Sequence, residues 1–446
     1  MTTKTISGTK RIIRRTGPAE FPFTSEDARS VSQRLAEPAW LADRRLAAWE
    51  VWNSLPVPSV QDEPWRRTDL RAIPADRFVL SAAEKTPAPT SGETPGVDLV
   101  MRPGHPTGMQ GHDGLRNSGV VFVDWASAVR EQEPLLQQYL GTTVTPAEGK
   151  FSALAAALAA DGVLLYVPKG VSLETPLRAL LWAPGRNIAV FSRALIVIEA
   201  GASATLTYEG ASPSEGSEAA GLHAGIVEVV VGSGAQLRLV EIQNWGDHVW
   251  NFTHERARVA RDARIEWVFG AVGSHLTKNF SELNLEGQGA EGLWSGFFFA
   301  DGVQHLDHDT QQNHLAPHTT SDLLFKGALV GRSRSVWQGM IYVAPGAQKT
   351  DGYQANRNLI LSKKARADSI PGLEILADDV RCTHGATVSQ LDEEPLFYIM
   401  SRGIPRPQAE RLVVEGFFAS VLERIPLPGV RQRFQQMIDS KLGASV

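Results

Sequence analysis

The stretches ALIVIEAGASATLTYEG (Ala194–Gly210) and GIVEVVVGSGAQLRLVEIQNW (Gly225–Trp245) decide the fold. Each joins two short β-branched, apolar runs across a small-residue corner, Gly201-Ala202 in the first and Gly234-Ala235 in the second. β-Branched and aromatic residues suit pleated strands, and glycine admits the positive φ of a sharp corner. The corner recurs at Asp262-Ala263 and Gly289-Ala290, with spacings of 33, 28 and 27 residues. A loose period of this size marks stacked coils with insertions. LLYVPKGV, RIEWVFGAVG and LWSGFFFADG carry the same texture, so the pattern runs from Gly162 to about Gln390. No long helix is predicted between the runs, which argues against βαβ units. A β-sandwich and a β-helix remain, and the recurring corners favour the β-helix.

Outward from this core the sequence turns helical at both ends, as a solenoid needing caps requires. Ser25 to about Ile73 reads as helix, opened by Ser25-Glu26-Asp27, with LAEPAWLADRRLAAWEVWNSLP supplying the helical spacing. Pro74 to Gly119 reads as loop with short strands, and FSALAAALAA is the clearest helix of the mixed stretch Val120–Asp161. After Leu391 three helices are expected, in EEPLFYIMSRGI, PRPQAERLVVEGFFASVLERI and GVRQRFQQMIDSKL, separated by Pro405, Pro407, Pro426 and Pro428. The expected units are 1–160, mixed and helical; 161–391, β-helix; and 392–446, helical.

The 446 residues carry 44 basic and 49 acidic side chains, a net charge of −5 that points to no nucleic acid and no anionic membrane. No apolar run approaches the roughly 20 residues of a membrane span, since LAAALAADGVLLYV is broken by Asp161 and Gly162. Lys4, Lys10, Arg11, Arg14 and Arg15 precede the first acid, Glu20, without the apolar stretch of a secretory signal, and read as a flexible tail. The single cysteine, Cys382, excludes an internal disulfide framework and fits a reducing cytoplasm.

Two phosphate-loop patterns fail on context. GQGAEG (Gly287–Gly292) is followed by strand-like LWSGFFFADG, so it reads as a turn. PGAQKT has Gln348 where a glycine should precede Lys349. Chemistry concentrates elsewhere. In VQHLDHDTQQNH, His305, Asp307 and Asp309 share one strand face, with His308 on the other, which makes His305 and Asp307 weak metal candidates. The plainer reading is a solvent-facing polar ladder of paired histidines and carboxylates. In RCTHGAT, Cys382 and His384 leave one strand face together, and both residue types bind zinc or iron. The neighbouring Arg381 and His384 are expected to favour the thiolate. Two ligands make half a site, so the others must come from elsewhere in the fold or from a second chain.

RCTHGATVSQLDEEPLFYIMSRGI resembles the C-terminal signature of the SufB/SufD scaffold proteins of iron–sulfur cluster assembly. EPAWLADRRLAAWEVWNSLPVP with DEPWRRTDL, DGVLLYVPKGVSLETPL, and HLDHDTQQNHLAPHTTSDLLFKGAL are similar to that family's N-terminal, β-helix-entry and central segments. Cys382-x-His384 is the SufD-like form. The resemblance implies a mainly β fold: a right-handed parallel β-helix between helical ends.

It also implies a non-enzymatic subunit pairing with a SufB-like paralogue. A SufC-like ABC ATPase would bind the C-terminal helices, where Glu394, Phe397, Tyr398, Arg402, Gly403 and Ile404 are the candidate contacts. His384, and with it Cys382, would face a transient, shared iron–sulfur cluster, with no tightly bound cofactor in the isolated chain. Two alternatives are a stand-alone carbohydrate-modifying β-helix enzyme using Asp307 and Asp309, and a SufD-like homodimer.

Overall fold

The computed structural model describes residues 20–88, 97–111, 115, 118–216, 218–425 and 428–443. The basic run Lys4–Arg15 and the separator Pro426 lie outside the described residues. Helices α1 (Ser25–Leu35), α2 (Ala39–Ser54), α3 (Trp125–Glu131), α4 (Glu133–Tyr139) and α5 (Lys150–Leu158) belong to the N-terminal part. Among them run β1 (Val97–Met101), β2 (Gly108–Gln110) and β3 (Val121–Asp124). The repeating strands begin with β4 (Asp161–Val167), β5 (Leu177–Trp182), β6 (Ala189–Ile198), β7 (Ser203–Ala211) and β8 (Gly221–Val231). They continue as β9 (Gln236–Asn244), β10 (Val249–Val259), β11 (Arg264–Ala271), β12 (Leu276–Leu285) and β13 (Glu291–Ala300). The last are β14 (His305–His314), β15 (Thr320–Leu329), β16 (Arg334–Val343), β17 (Asp351–Ile360), β18 (Arg366–Ile375) and β19 (Arg381–Gln390). Helices α6 (Glu393–Met400), α7 (Arg406–Leu422) and α8 (Pro428–Gly443) close the chain.

Successive strands alternate between two sheets, one ordered β19-β17-β15-β13-β11-β9-β7-β5-β1-β2 and the other β18-β16-β14-β12-β10-β8-β6-β4-β3. β4 pairs antiparallel with β3, but all pairings among β4 to β19 are parallel, so the architecture is the expected parallel β-helix. The corners explain its regularity. Gly201, Gly234, Asp262 and Gly289 all have positive φ, between 53° and 74°, and His318 (59°) and Lys349 (62°) continue the series. Each donates its N–H to the corner of the following coil, as in Gly201 N to Ser233 O at 2.9 Å and His318 N to Gln348 O at 2.9 Å. The small residues after them, Ala202, Ala235, Ala263 and Ala290, are buried in the stack. GQGAEG and PGAQKT both sit at these corners, as turns between strands.

Interior rows interdigitate between the sheets. Trp267 and Trp294 stack on adjacent rungs at 4.7 Å, and Gly296 admits the ring of Phe325, which a Cβ would meet at 2.6 Å. At the strand where the repeat begins, Gly162 takes φ 142°, and a Cβ there would lie 1.8 Å from Arg193 O. The sequence change that breaks the apolar run is thus the entry to the solenoid.

The N-terminal helices cover the first coils. The cap of α1 is Thr24, in a capping box with Asp27, rather than Ser25. Helix ends at Ser54 instead of running towards Ile73, because Pro56 and Pro58 follow and only short 3₁₀ turns come after. Two long cations finish the helix ends: Lys150 Nζ donates to Trp52 O (2.5 Å) and Leu55 O (2.6 Å), and Arg45 donates to Ala157 O (2.7 Å) and Ala159 O (3.0 Å). At the other end of the chain, α7 and α8 lie on the outer face of one sheet. There Val414, Phe418, Phe434 and Ile438 pack with Phe297 and Phe299.

Candidate functional site

β18 pairs only with β16 and β19 only with β17, so the solenoid ends on an uncovered coil. The register sets Cys382 opposite Gly352 and His384 opposite Gln354. Both therefore lie in the interior-facing row of the last strand, on the shared face expected from their spacing.

Their surroundings differ. Cys382 packs beside the buried cluster Ile341, Val343 and Ala347. A Cβ on Gly352 would stand 3.2 Å from Cys382 Sγ and 3.3 Å from His314 Nε2, so glycine makes the room the thiol occupies. Burial pushes the Cys382 thiol up from its ordinary value, against the lowering effect of the Gly352 backbone, and Asp351 raises it further. The expectation of a favoured thiolate is overturned, because Arg381 points to the other face and pairs with Asp351. His384 is exposed and makes no side-chain hydrogen bond among the described residues. A free imidazole at the rim is available to a ligand from outside.

Beneath this pair the interior changes chemistry. The inward residues of β17 are Gln354, Asn356 and Asn358, all buried, where the preceding coil carries Leu323, Phe325 and Gly327. Asn358 Nδ2 donates to Ser369 Oγ at 2.9 Å, and Gln354 Nε2 to Gly372 O at 2.9 Å, tying β17 to β18. Gln354 Oε1, Asn356 Nδ2 and Asn358 Oδ1 have no hydrogen-bond partner among the described residues. Sequence reading missed these amides; their period-2 spacing in QANRN is the signal, but its polarity reads as an outer face. On the rows that a further coil would cover, Leu373 (38%), Ile375 (38%) and Val388 (49%) stand exposed. Exposed contiguous apolar residues of this kind mark an interaction surface.

The C-terminal candidates lie on a second surface. Leu396 buries α6, which leaves Phe397 at 74% and Tyr398 at 61% exposure. Glu394 is in the first turn, its N–H held by Asp392 Oδ1 at 3.0 Å. Arg402 lies over the Tyr398 ring at 5.2 Å, Gly403 leaves the helix with φ 88°, and Ile404 is half-buried.

His305 and Asp307 are brought to neither place. They share a face, with His308 inward as expected, but that face is covered rather than solvent-facing. Thr68 Oγ1 bonds His305 Nε2 at 2.8 Å and donates to Asp307, while Lys278 Nζ pairs with Asp307 Oδ1 at 3.0 Å. Lys278 and Asp307 are wholly buried, and burial holds His305 near 4, neutral at physiological pH. Asp307 therefore cannot serve an open sugar-binding groove. Among the described residues no group of three or more His, Cys, Asp or Glu is arranged to hold a metal, and no helix is long and apolar enough to cross a membrane.

Residues 181–417 match the family "SUF system FeS cluster assembly, SufBD core domain", and residues 108–179 match "SufBD protein N-terminal region". The chain is 33% identical to the iron–sulfur cluster assembly protein SufD of Bacillus subtilis, over 94% of this chain and 97% of that protein. It is 29% identical to SufB of the same organism, over 92% of this chain and 91% of that one. A SufBD family protein of Staphylococcus epidermidis is 30% identical over 92% of this chain and 91% of its own. With a parallel β-helix, its Cys382-x-His384 strand and these similarities together, the chain belongs to the SufB/SufD family of iron–sulfur cluster assembly proteins and is SufD-like.

Proposed function

We propose that this chain is a non-catalytic scaffold subunit whose open solenoid end pairs with a SufB-like paralogue in the cytoplasm. Clusters are built at the junction, with His384 as a ligand from this side and Cys382 beside it. The cluster is cargo, passed on after assembly. The face of α6 around Phe397 and Tyr398 takes a SufC-like ABC ATPase, with Glu394, Arg402, Gly403 and Ile404 at its border. ATP turnover in that partner opens and closes the junction. The observation that carries this reading is the uncovered last coil. Two unpaired strand edges, an exposed apolar row and a free histidine meet there, which is half of a two-chain site.

The test is anaerobic co-purification with the SufB-like and SufC-like partners, followed by iron and sulfide quantification. His384→Ala is expected to keep the complex and lose cluster formation; unchanged cluster yield in an intact complex removes its role. Val388→Asp is expected to separate the paralogues. Should native mass measurement show that variant still paired, the docking face lies elsewhere. A homodimer that persists when the paralogue is present contradicts the hetero-pairing.

A further inference from the structure

Between the two sheets the middle coils leave a chamber of about 40 Å³. At roughly 10–15 Å³ for each water, it has room for a small ion with one or two waters. Glu241 on β9 and Glu255 on β10 line it from opposite sheets, with Tyr208, Thr253 and Asn279 beside them, and no lysine or arginine lines it. Glu255 accepts from Asn279 Nδ2 and Ser281 Oγ, both at 2.7 Å, so only neutral donors reach it. Glu241 accepts from Trp267 Nε1 at 2.6 Å through Oε2. Among the described residues its Oε1 has no hydrogen-bond partner, although the residue is only 5% exposed.

The remaining polar wall offers no cation either. Tyr208 Oη donates to Ser192 Oγ (3.4 Å), Ser192 meets His223 Nε2 (2.8 Å), His223 Nδ1 meets Asn251 Oδ1 (2.6 Å), and Asn251 Nδ2 donates on to Thr277 Oγ1 (3.3 Å), a chain of neutral groups. Burial pushes His223 down to about 4, leaving it neutral. Two carboxylates thus share an apolar-backed chamber with no positive charge beside them, an arrangement that demands a proton or a cation.

We propose that this chamber binds one small divalent cation through Glu241 and Glu255, with water and the neighbouring hydroxyl and amide oxygens completing its shell. Two carboxylates balance two charges, and an all-oxygen donor set suits hard ions such as Mg²⁺ and Mn²⁺. The site lies in coils remote from the open end and is independent of the pairing proposed there.

The test counts Mn²⁺ bound to the chelator-stripped full chain at neutral pH, by the electron paramagnetic resonance of the free ion. Mn²⁺ is supplied both to the folded protein and during refolding, so slow entry cannot hide the site. One ion per chain is expected, retained when Cys382→Ser and His384→Ala are combined and lost in Glu241→Gln. Glu255→Gln repeats the loss and serves if the first variant misfolds. No bound ion in either arm means that a shared proton fills the chamber and overturns the proposal. Binding that persists in both glutamine variants overturns it equally.

Discussion

Replacing Phe434 by alanine separates the C-terminal helices from the solenoid energetically. Phe434 is wholly buried, 4.7 Å from Phe297 in an edge-to-face contact, and its ring edge fills the space that a Cβ on Gly270 would reach at 2.9 Å. Losing the burial of such a ring costs about 1.5–3 kcal/mol, and the cavity raises the total to about 3–5 kcal/mol. Other anchors of α8 include Ile438, Leu442, the Lys441–Asp301 pair at 2.6 Å, the Arg433–Glu209 pair and the Arg411–Asp439 pair at 2.8 Å to α7. Arg433 and Lys441 are tied to different coils, through Glu209 and Asp301, which holds the helix in place over the gap.

At 1.4 kcal/mol per factor of ten, undocking of α8 becomes roughly a hundredfold to a few thousandfold more frequent. Hydrogen exchange followed by mass spectrometry reads this directly: peptides from residues 428–443 are expected to speed up by that factor, while those from β9 to β14 keep their rates. The exposed Phe397→Ala is the control, expected within about 0.5 kcal/mol of the parent. Equal acceleration throughout the chain, or none in α8, would refute the claim that the helical cap melts as its own unit.

Alkylation of the single cysteine should show a pH midpoint above the ordinary thiol value of 9.0, shifted down by Asp351→Asn; a midpoint at or below 9.0 contradicts the burial of Cys382. Burial pushes the Asp161 carboxyl up to about 7 from 3.8, so across that window the folded chain holds a proton the unfolded chain lacks. Stability should fall as pH rises through the window and level off above it, and Tm profiles of Asp161→Asn should lack that slope. Identical profiles would remove the assignment. Asp307→Ala leaves the buried Lys278 with only its longer contact to Asp309 (3.8 Å) and should cost about 3–5 kcal/mol in denaturant unfolding, with iron content of the assembled complex unchanged. A drop in iron content without loss of stability would return Asp307 to the candidate metal ligands.

The parallel β-helix was legible because its corners need both a left-handed residue and a small neighbour, and Gly201-Ala202, Gly234-Ala235 and Gly289-Ala290 meet both needs. The last two corners escaped notice because His318-Thr319 and Lys349-Thr350 take the same backbone with larger residues. Face assignment worked for His305, Asp307 and His308, since a strand alternates whatever lies around it. Exposure was misjudged there because the cover, Thr68, comes from 237 residues away. The same gap hid the amide rungs: polarity in a strand reads as an outer face, while in β17 the outer residues Ala355 and Leu359 lie against the C-terminal helix cluster. Of the candidate site, the shared face of Cys382 and His384 followed from spacing. The thiol's protonation depended on Gly352 and Asp351 across the strand pair, beyond the reach of local sequence.

The corner ladder has a further consequence. Each coil hands its neighbour a matching set of backbone donors and acceptors, so nothing in the repeat itself says when to stop. At one end the early helices finish the stack. At the other, Pro371 sits in the middle of β18 and offers no N–H to any strand. A generic strand laid along that edge meets a mismatch, and a second molecule cannot simply extend the column into a fibre. Whatever seals this end must be shaped for it, so the terminus of the solenoid works as a keyed joint rather than a sticky one.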